Sequence, residues 1–245
     1  MKANAITARD FGEGIRASDV TTAVLPIGAV EQHGGHLPFD TDALLAGALA
    51  ERLAAGLGGY LLPTLAISSS IEHRGAKGTV YLRAETLAAV IGDIAQSLHA
   101  SGFRRLILAN GHGGNWVLKP AIRTVNRADP GFRAVLVTTE LRPEFAATVF
   151  RHPTGDIHAG EIETSLMLHL FPQQVRRVNQ ASPASFPDQR MLDYFDATEL
   201  TPSGYWGWPE FATAEKGALA FEHLVSAALL FVAEVEAQAE KISRR

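Results

Sequence analysis

Between Glu31 and Asp42 the chain places two imidazoles, His33 and His36, among the carboxylates of Glu31, Asp40 and Asp42. Such a mixture of nitrogen and oxygen donors suits a hard or borderline divalent cation, and Gly34 and Gly35 let the backbone fold tightly around a small object. The plainer reading is that Asp40 or Asp42 caps the next helix. A second stretch, Asn110-Gly-His112-Gly113-Gly114-Asn115, flanks one histidine with glycines and so frees its ring to point into a crevice. Its plainer reading is a phosphate cradle at a helix N-terminus, but neither G-x-G-x-x-G nor a P-loop lysine is present. A third stretch, residues 154–168, gathers Asp156, His158, Glu161, Glu163, Thr164 and Ser165 at a predicted helix start. Acidic residues are favoured in a first helical turn by the helix dipole alone. Glu161 and Glu163 lie two apart and point in different directions on a helix, so at most one faces a site. Spacing does not choose between them.

The elements that must position these groups alternate. Buried-strand patterns cover 21–27, about 60–67, 105–109 and 133–139, and helical patterns cover 42–57, 84–100, about 116–128, 162–170 and 213–242. Strand–helix alternation predicts an α/β fold, a three-layer α/β/α sandwich around a mainly parallel sheet. Ligands of such folds bind beyond the carboxyl ends of the strands, which is where the first two loops fall. The segment 172–212, rich in Pro, Gly and aromatics, reads as a lid or subunit contact.

The 245 residues are 47% hydrophobic and 20% charged, with a formal net charge of −4 and no basic block. The electrostatic footprint of a nucleic-acid or anionic-membrane binder is missing, and a small, near-neutral substrate fits better. With no internal repeat and no linker, one domain over residues 1–245 is the simplest organisation. Cysteine is absent, so thiolate zinc sites, iron–sulfur clusters and cysteine nucleophiles are excluded. The first ten residues lack the apolar run of a secretory signal, and no uncharged stretch of ~18 residues suggests a membrane span. The expected location is cytoplasmic.

The blocks Glu31-Gln32-His33-Gly34 with His36-Leu37-Pro38 and Thr41-Asp42, then Asn110-Gly111-His112-Gly113-Gly114-Asn115, then His158-Ala159-Gly160 with Glu163-Thr164-Ser165, resemble the creatininase (creatinine amidohydrolase) family in order and over nearly the whole chain. The resemblance implies a Rossmann-like layered sandwich, two divalent ions per subunit, hydrolysis of a non-peptide or unusual amide C–N bond, and a homohexamer. It implies that Glu31 and His33 hold different ions, that Asp42 bridges them and that His112 is a further ligand. Creatinine-hydrolysing members carry a metal-binding Glu two residues after that histidine, where this chain has Gly114. Members with the His-Gly-Gly-Asn form resemble this chain instead, which implies that Glu163 completes the site, with Glu161 in reserve. The family also includes formylamidopyrimidine deformylases and the peptidase of mycofactocin maturation.

The expected chemistry follows. Two ions ~3.5–4 Å apart share a bridging water, bring its pKa toward neutrality as a metal-bridged hydroxide and polarise the carbonyl it attacks. The amide nitrogen must be protonated to leave, and His158, not needed as a ligand, is the expected general acid, with an ordinary pKa near ~6.5. His36 is expected to orient a ligand through a hydrogen bond or simply to pack in its loop; Asn110 and Gly113 are expected beside the substrate or behind the ligands. Carboxylate and imidazole donors suit Zn, Mn and Fe alike. Residues 70–79, with Glu72 and His73, are expected to rim the pocket, and Tyr205–Pro209 to shape the substrate or form an interface. His99, His169 and His223 read as ordinary helical residues. The chain is therefore expected to be a dinuclear metal-dependent amidohydrolase acting on a small linear or cyclic amide. Its rivals are a peptidase or formylamidopyrimidine deformylase on the same metals, a two-metal phosphoesterase, and a metal-binding assembly protein without turnover.

Overall fold

The two most apolar strands are neighbours. β2 (Thr22–Ile27) and β4 (Arg105–Asn110) pair in parallel, with Thr22 opposite Arg105 and Ile27 opposite Asn110. A computed structural model describes residues 6–10, 12–16, 18–178 and 182–244. Around this central pair lie β1 (Ile6–Thr7), β3 (Tyr60–Leu61) and β5 (Arg133–Thr138), giving a five-stranded sheet in the order β1-β3-β2-β4-β5 with parallel pairing throughout. The helices are α1 (Gly12–Arg16), α2 (Thr41–Leu57), α3 (Ala84–Ala100), α4 (Leu118–Ala128), α5 (Pro143–Val149), α6 (Glu161–Leu170), α7 (Ala197–Leu200) and α8 (Ala214–Ser243).

Side chains alternate across each strand, and the two faces bury different helices. Val24, Ile107, Val135 and Val137 pack with Leu45 and Leu49 of α2, Leu166 of α6 and Leu224 of α8. On the other face Leu25, Leu106 and Leu108 meet Leu87 and Ile91 of α3 and Leu118 of α4. The result is the expected three-layer α/β/α sandwich. By length and composition α8 is apolar enough to cross a membrane, yet Phe221, Leu224, Val225 and Val232 pack into the core. It is tied down at two points: Glu222 to Arg52 of α2 (2.6 and 3.0 Å) and Glu236 to Arg105 at the amino end of β4 (3.2 Å).

The second strand is shorter than its pattern predicts. Past Leu61 the chain still follows β2, with Leu62 N–H donating to Val24 O and Leu65 N–H to Pro26 O, both at 2.9 Å, but Pro63 has no N–H to give the ladder.

Because every strand is parallel, all carboxyl ends open on one edge. The Ile27–Asn110 pairing starts the loops after β2 and β4 side by side. Two glycines then admit the first turn of α2 between them: a Cβ on Gly28 would lie 2.3 Å from Ala43 N, and one on Gly111 would lie 2.4 Å from Asp42 O. No larger residue permits that approach, and it is what places Asp42 between the two loops.

Candidate metal centre

Asp42, in the first turn of α2, turns its carboxylate inward, and Asp40 makes no side-chain cap on that helix. Asp42 Oδ1 lies 3.1 Å from His33 Nε2, and Oδ2 lies 3.1 Å from His112 Nδ1. Glu31, fully buried, meets three rings: Oε2 is 3.3 Å from His112 Nε2, and Oε1 is 3.4 Å from His73 Nε2 and 3.5 Å from His158 Nδ1. Glu163, at the third position of α6, reaches to 4.0 Å from His33 Nε2. The structure thus brings Glu31, His33, Asp42, His112, His158 and Glu163 together.

Glu161 turns elsewhere. Its carboxylate is paired with Lys216 Nζ and accepts from Arg151 N–H at 2.9 Å, so the two glutamates diverge as helical spacing requires. Glu163 is braced by Ala159, whose N–H donates to Oε2. Ala159 adopts φ 49°, a left-handed conformation unusual for a residue with a Cβ. Asp156 Oδ1 and Oδ2 accept from the N–H groups of Glu161 and Ile162, both at 2.7 Å, and Oδ1 from Trp208 N–H at 3.2 Å.

Supporting contacts fix the rings. His33 Nδ1 is 3.1 Å from the Glu31 carbonyl, and His158 Nε2 is 2.7 Å from the Gln32 carbonyl. With His33 Nδ1–H and His158 Nε2–H donated in this way, the other ring nitrogens, His33 Nε2 and His158 Nδ1, face the cluster. The Gln32 amide nitrogen lies 3.0 Å from His73 Nδ1. His36 is buried with Nε2 3.1 Å from Thr164 Oγ1, which joins the first loop to the residue after Glu163. Asn110 donates to the His112 carbonyl (2.8 Å) and accepts from Asn115 (2.9 Å). Asn115 Oδ1 in turn accepts from Ser69 N–H at 3.0 Å, stitching the His112 turn to residues 68–73. Gly113 lines the cleft.

Glu72 and His73, expected at the rim, face the cluster. Both lie on a 3-10 turn (Ile71–His73), and Glu72 Oε1 is 3.0 Å from His112 Nε2. Their visible signal was position, an acid–histidine pair in the loop after the second predicted strand. Tyr205–Pro209, expected to shape the substrate or form an interface, also braces His158, whose backbone exchanges hydrogen bonds with Trp206 at 3.1 and 2.7 Å. The mouth of the cleft, ≈ 670 Å³, is framed by Trp116, Tyr194 and Phe195. Trp116 and Tyr194 are 62% and 77% exposed.

The electrostatics are those of crowded, dry charge. Burial drives the Glu31 carboxyl well above the usual carboxylate range, and Asp42 adds to the rise. Burial pulls His33 down, but the charges of Asp42, Glu163 and Glu31 outweigh it and hold it at about 10. His112 rises for the same reason, with Glu31, Asp42 and Glu72 as its partners. Burial also opposes ionisation of Asp42, but His33 and His112 prevail and keep it below the usual range. Glu163 is pushed up to about 7 by burial, with His33 opposing and Asp42 adding. His158 is held well below 6.5 by burial and by the neighbouring His33 and His73, and His36 and His73 fall to about 4 through burial.

The donors fit divalent cations. Glu31 Oε1 and Oε2, Asp42 Oδ2 and His112 Nε2 are buried with no hydrogen-bond partner among the described residues. Two sets of donor atoms, Glu31–Asp42–His112 and His33–His158–Glu163, each converge within 4.8 Å, as does Glu31–His73–His158.

A family model described as creatinine amidohydrolase matches residues 4–232. The mycofactocin precursor peptide peptidase of Mycobacterium tuberculosis (strain ATCC 25618 / H37Rv) is 34% identical over 218 residues, covering 82% of this chain and 80% of the relative. The creatinine amidohydrolase of Pseudomonas putida is 31% identical over 236 residues, covering 89% and 90%. A solved manganese form of creatininase superimposes with a TM-score of 0.78 at 28% identity, covering 94% of this chain and 98% of that one, and a zinc–zinc form gives 0.77.

Proposed function

The chain belongs to the creatininase family, and from that premise we propose that it hydrolyses a C–N bond of a small linear or cyclic amide at a two-metal site. Metal-dependent hydrolysis of C–N bonds is what the family does. In the finer reading, Glu31, Asp42 and His112 would hold one zinc, manganese or iron ion, and His33, Asp42 and Glu163 would hold the other; that the two Asp42 oxygens each face a different imidazole supports a shared role for it.

When bound, such a pair supplies an acidified water and a Lewis acid for the carbonyl oxygen. The chain's own residues do the rest. His158 is neutral, with Nε2–H donated to the Gln32 carbonyl, so Nδ1 would take the proton that the attacking water gives up and deliver it to the leaving nitrogen as the C–N bond breaks. Gln32 keeps that ring facing the cluster, and the His36–Thr164 contact holds α6, and with it Glu163, against the first loop. Substrate would reach these groups from the cleft, which Asp42, His112, His158 and Glu163 line.

The observation that carries this reading is the set of buried, unpartnered donor atoms on Glu31, Asp42 and His112. Each such group costs on the order of 1–3 kcal/mol if left unsatisfied, a cost that coordination removes. The test is metal content of protein purified without added ions, together with hydrolysis of an amide panel. Wild type is expected to hold about two ions per chain, and Asp42→Ala to lose most of both along with activity. Retention of both ions by Asp42→Ala removes it as the bridge; bound ions with no turnover of any amide favour an assembly role.

A second reading, a peptidase acting at the end of a modified peptide, is favoured by the open, aromatic mouth at Trp116 and Tyr194. Parallel panels of small amides, formylamidopyrimidines and peptides separate these substrates. We further propose one domain assembled as a homohexamer, which light scattering measures directly.

A further inference from the structure

Glu72 is a carboxylate lining the cleft beside His112 that the proposed ligand set leaves out. It comes from a loop far in sequence from the His112 turn, yet its Oε1 ends 3.0 Å from His112 Nε2, while Glu31 Oε2 stands 3.3 Å from the same nitrogen. Nε2 nevertheless makes no well-aligned hydrogen bond among the described residues; both oxygens meet it at ion-pair distance. Donor atoms that crowd this closely around one ring nitrogen have the spacing of adjacent ligands on one cation. With metal–ligand lengths of about 2.0–2.2 Å, neighbouring ligands stand roughly 3.0–3.5 Å apart.

Gly114 explains how a carboxylate from elsewhere fits there. A Cβ at 114 would lie 1.8 Å from Glu72 Oε1 and 2.4 Å from His112 Nε2. A side chain at 114 and the Glu72 carboxylate therefore compete for one volume beside His112. The bond from Ser69 N–H to Asn115 Oδ1 fixes the two loops in that register.

We propose that Glu72 is a metal ligand, completing from the 68–73 loop the cleft-facing side of the ion held by Glu31, Asp42 and His112. This rests on the two-metal reading above. A carboxylate carried at 114 would need the His112 turn to shift, because its Cβ would also lie 2.4 Å from His112 Nε2.

The test titrates metal-free protein with Co²⁺, following the visible d–d bands and competition with a chelator, for wild type, Glu72→Gln, Glu163→Gln, Gly114→Glu and the double variant Glu72→Ala/Gly114→Glu. Glu72→Gln is expected to weaken one of the two sites by at least about tenfold and to change its d–d bands, because a direct ligand is lost; effects of this size or more follow disturbance of even supporting groups. Glu163→Gln is expected to affect the other site. The double variant, whose Cβ at 114 still meets His112 Nε2, is expected to recover the first site only in part, and Gly114→Glu alone, forced against Glu72 as well, not at all. Unchanged Co²⁺ affinity in Glu72→Gln overturns the proposal, as does weakened affinity with an unaltered spectrum, which would place Glu72 behind the ligands. If the double variant does not fold, the spectrum of the nearly isosteric Glu72→Gln decides. A wild type that binds no Co²⁺ overturns the two-metal reading itself, and this inference with it.

Discussion

Asp42 holds His33 and His112 in their charged forms, and that sets the pH behaviour of the metal-free protein. The folded pKa of His33 is raised from 6.5 to about 10, so its contribution to stability is complete below about 6.5 and is lost as pH rises through about 10. Glu163, raised from 4.5 to about 7, adds a loss in the same direction over the lower window. Urea denaturation of metal-free protein at pH 7 and 9 is expected to show falling stability, at up to about 1.4 kcal/mol per pH unit for each proton involved; below about 6.5 the depressed pKa values of His36, His73 and His158 act in the opposite direction. Metal affinity is expected to move oppositely, rising with pH, because a cation displaces these protons; calorimetry in buffers of different ionisation enthalpy measures the release. His158→Asn is expected to lower kcat by roughly 10²–10⁴-fold with ion content and KM little changed. The residues that meet in the cluster were legible in the first loop and the His-Gly-Gly turn because each is contiguous. Glu72 was not, because whether a loop residue rims a pocket or lines it depends on a single 3-10 turn that carries no pattern of its own.

At the level of elements, the long periodic segments were legible: α3 falls on residues 84–100 as its pattern predicts, and α2 ends at Gly58 in a left-handed conformation. The short ones were not. β1 and α5 contain too few residues to show a period, and the carboxyl end of β3 dissolves at Pro63. Which glutamate of α6 faces the cluster is likewise decided by the start of that helix. Asp156 fixes this start by accepting from three backbone N–H groups. Asp156→Asn, which exchanges an acceptor oxygen for an amide against those donors, is expected to destabilise the fold by about 1–3 kcal/mol in urea denaturation. It is also expected to weaken metal binding, through the displaced Glu163.

For the molecule as a whole, the proposed metal capture would follow folding, because each candidate donor set found among the described residues joins groups distant in sequence between residues 31 and 163. Cations that bind only the folded chain stabilise it by mass action. Treatment with a chelator is expected to lower the Tm, and excess Zn²⁺ or Mn²⁺ to restore it; at a free ion concentration 100 times Kd the gain is about 2.7 kcal/mol. An unchanged Tm on chelation would argue against tightly held ions in the folded protein. The layer order was legible because strand–helix alternation leaves few alternatives, whereas the cleft mouth was not, since Trp116, Tyr194 and Phe195 lie in segments without periodicity. The ion pair of Glu236 with Arg105 carries the far part of α8 to the amino end of β4, the rim opposite the cleft. A tether attached beyond Ser243 would therefore leave the catalytic mouth pointing outward, so protein immobilised on a bead by that end should turn over substrate almost as freely as protein in solution.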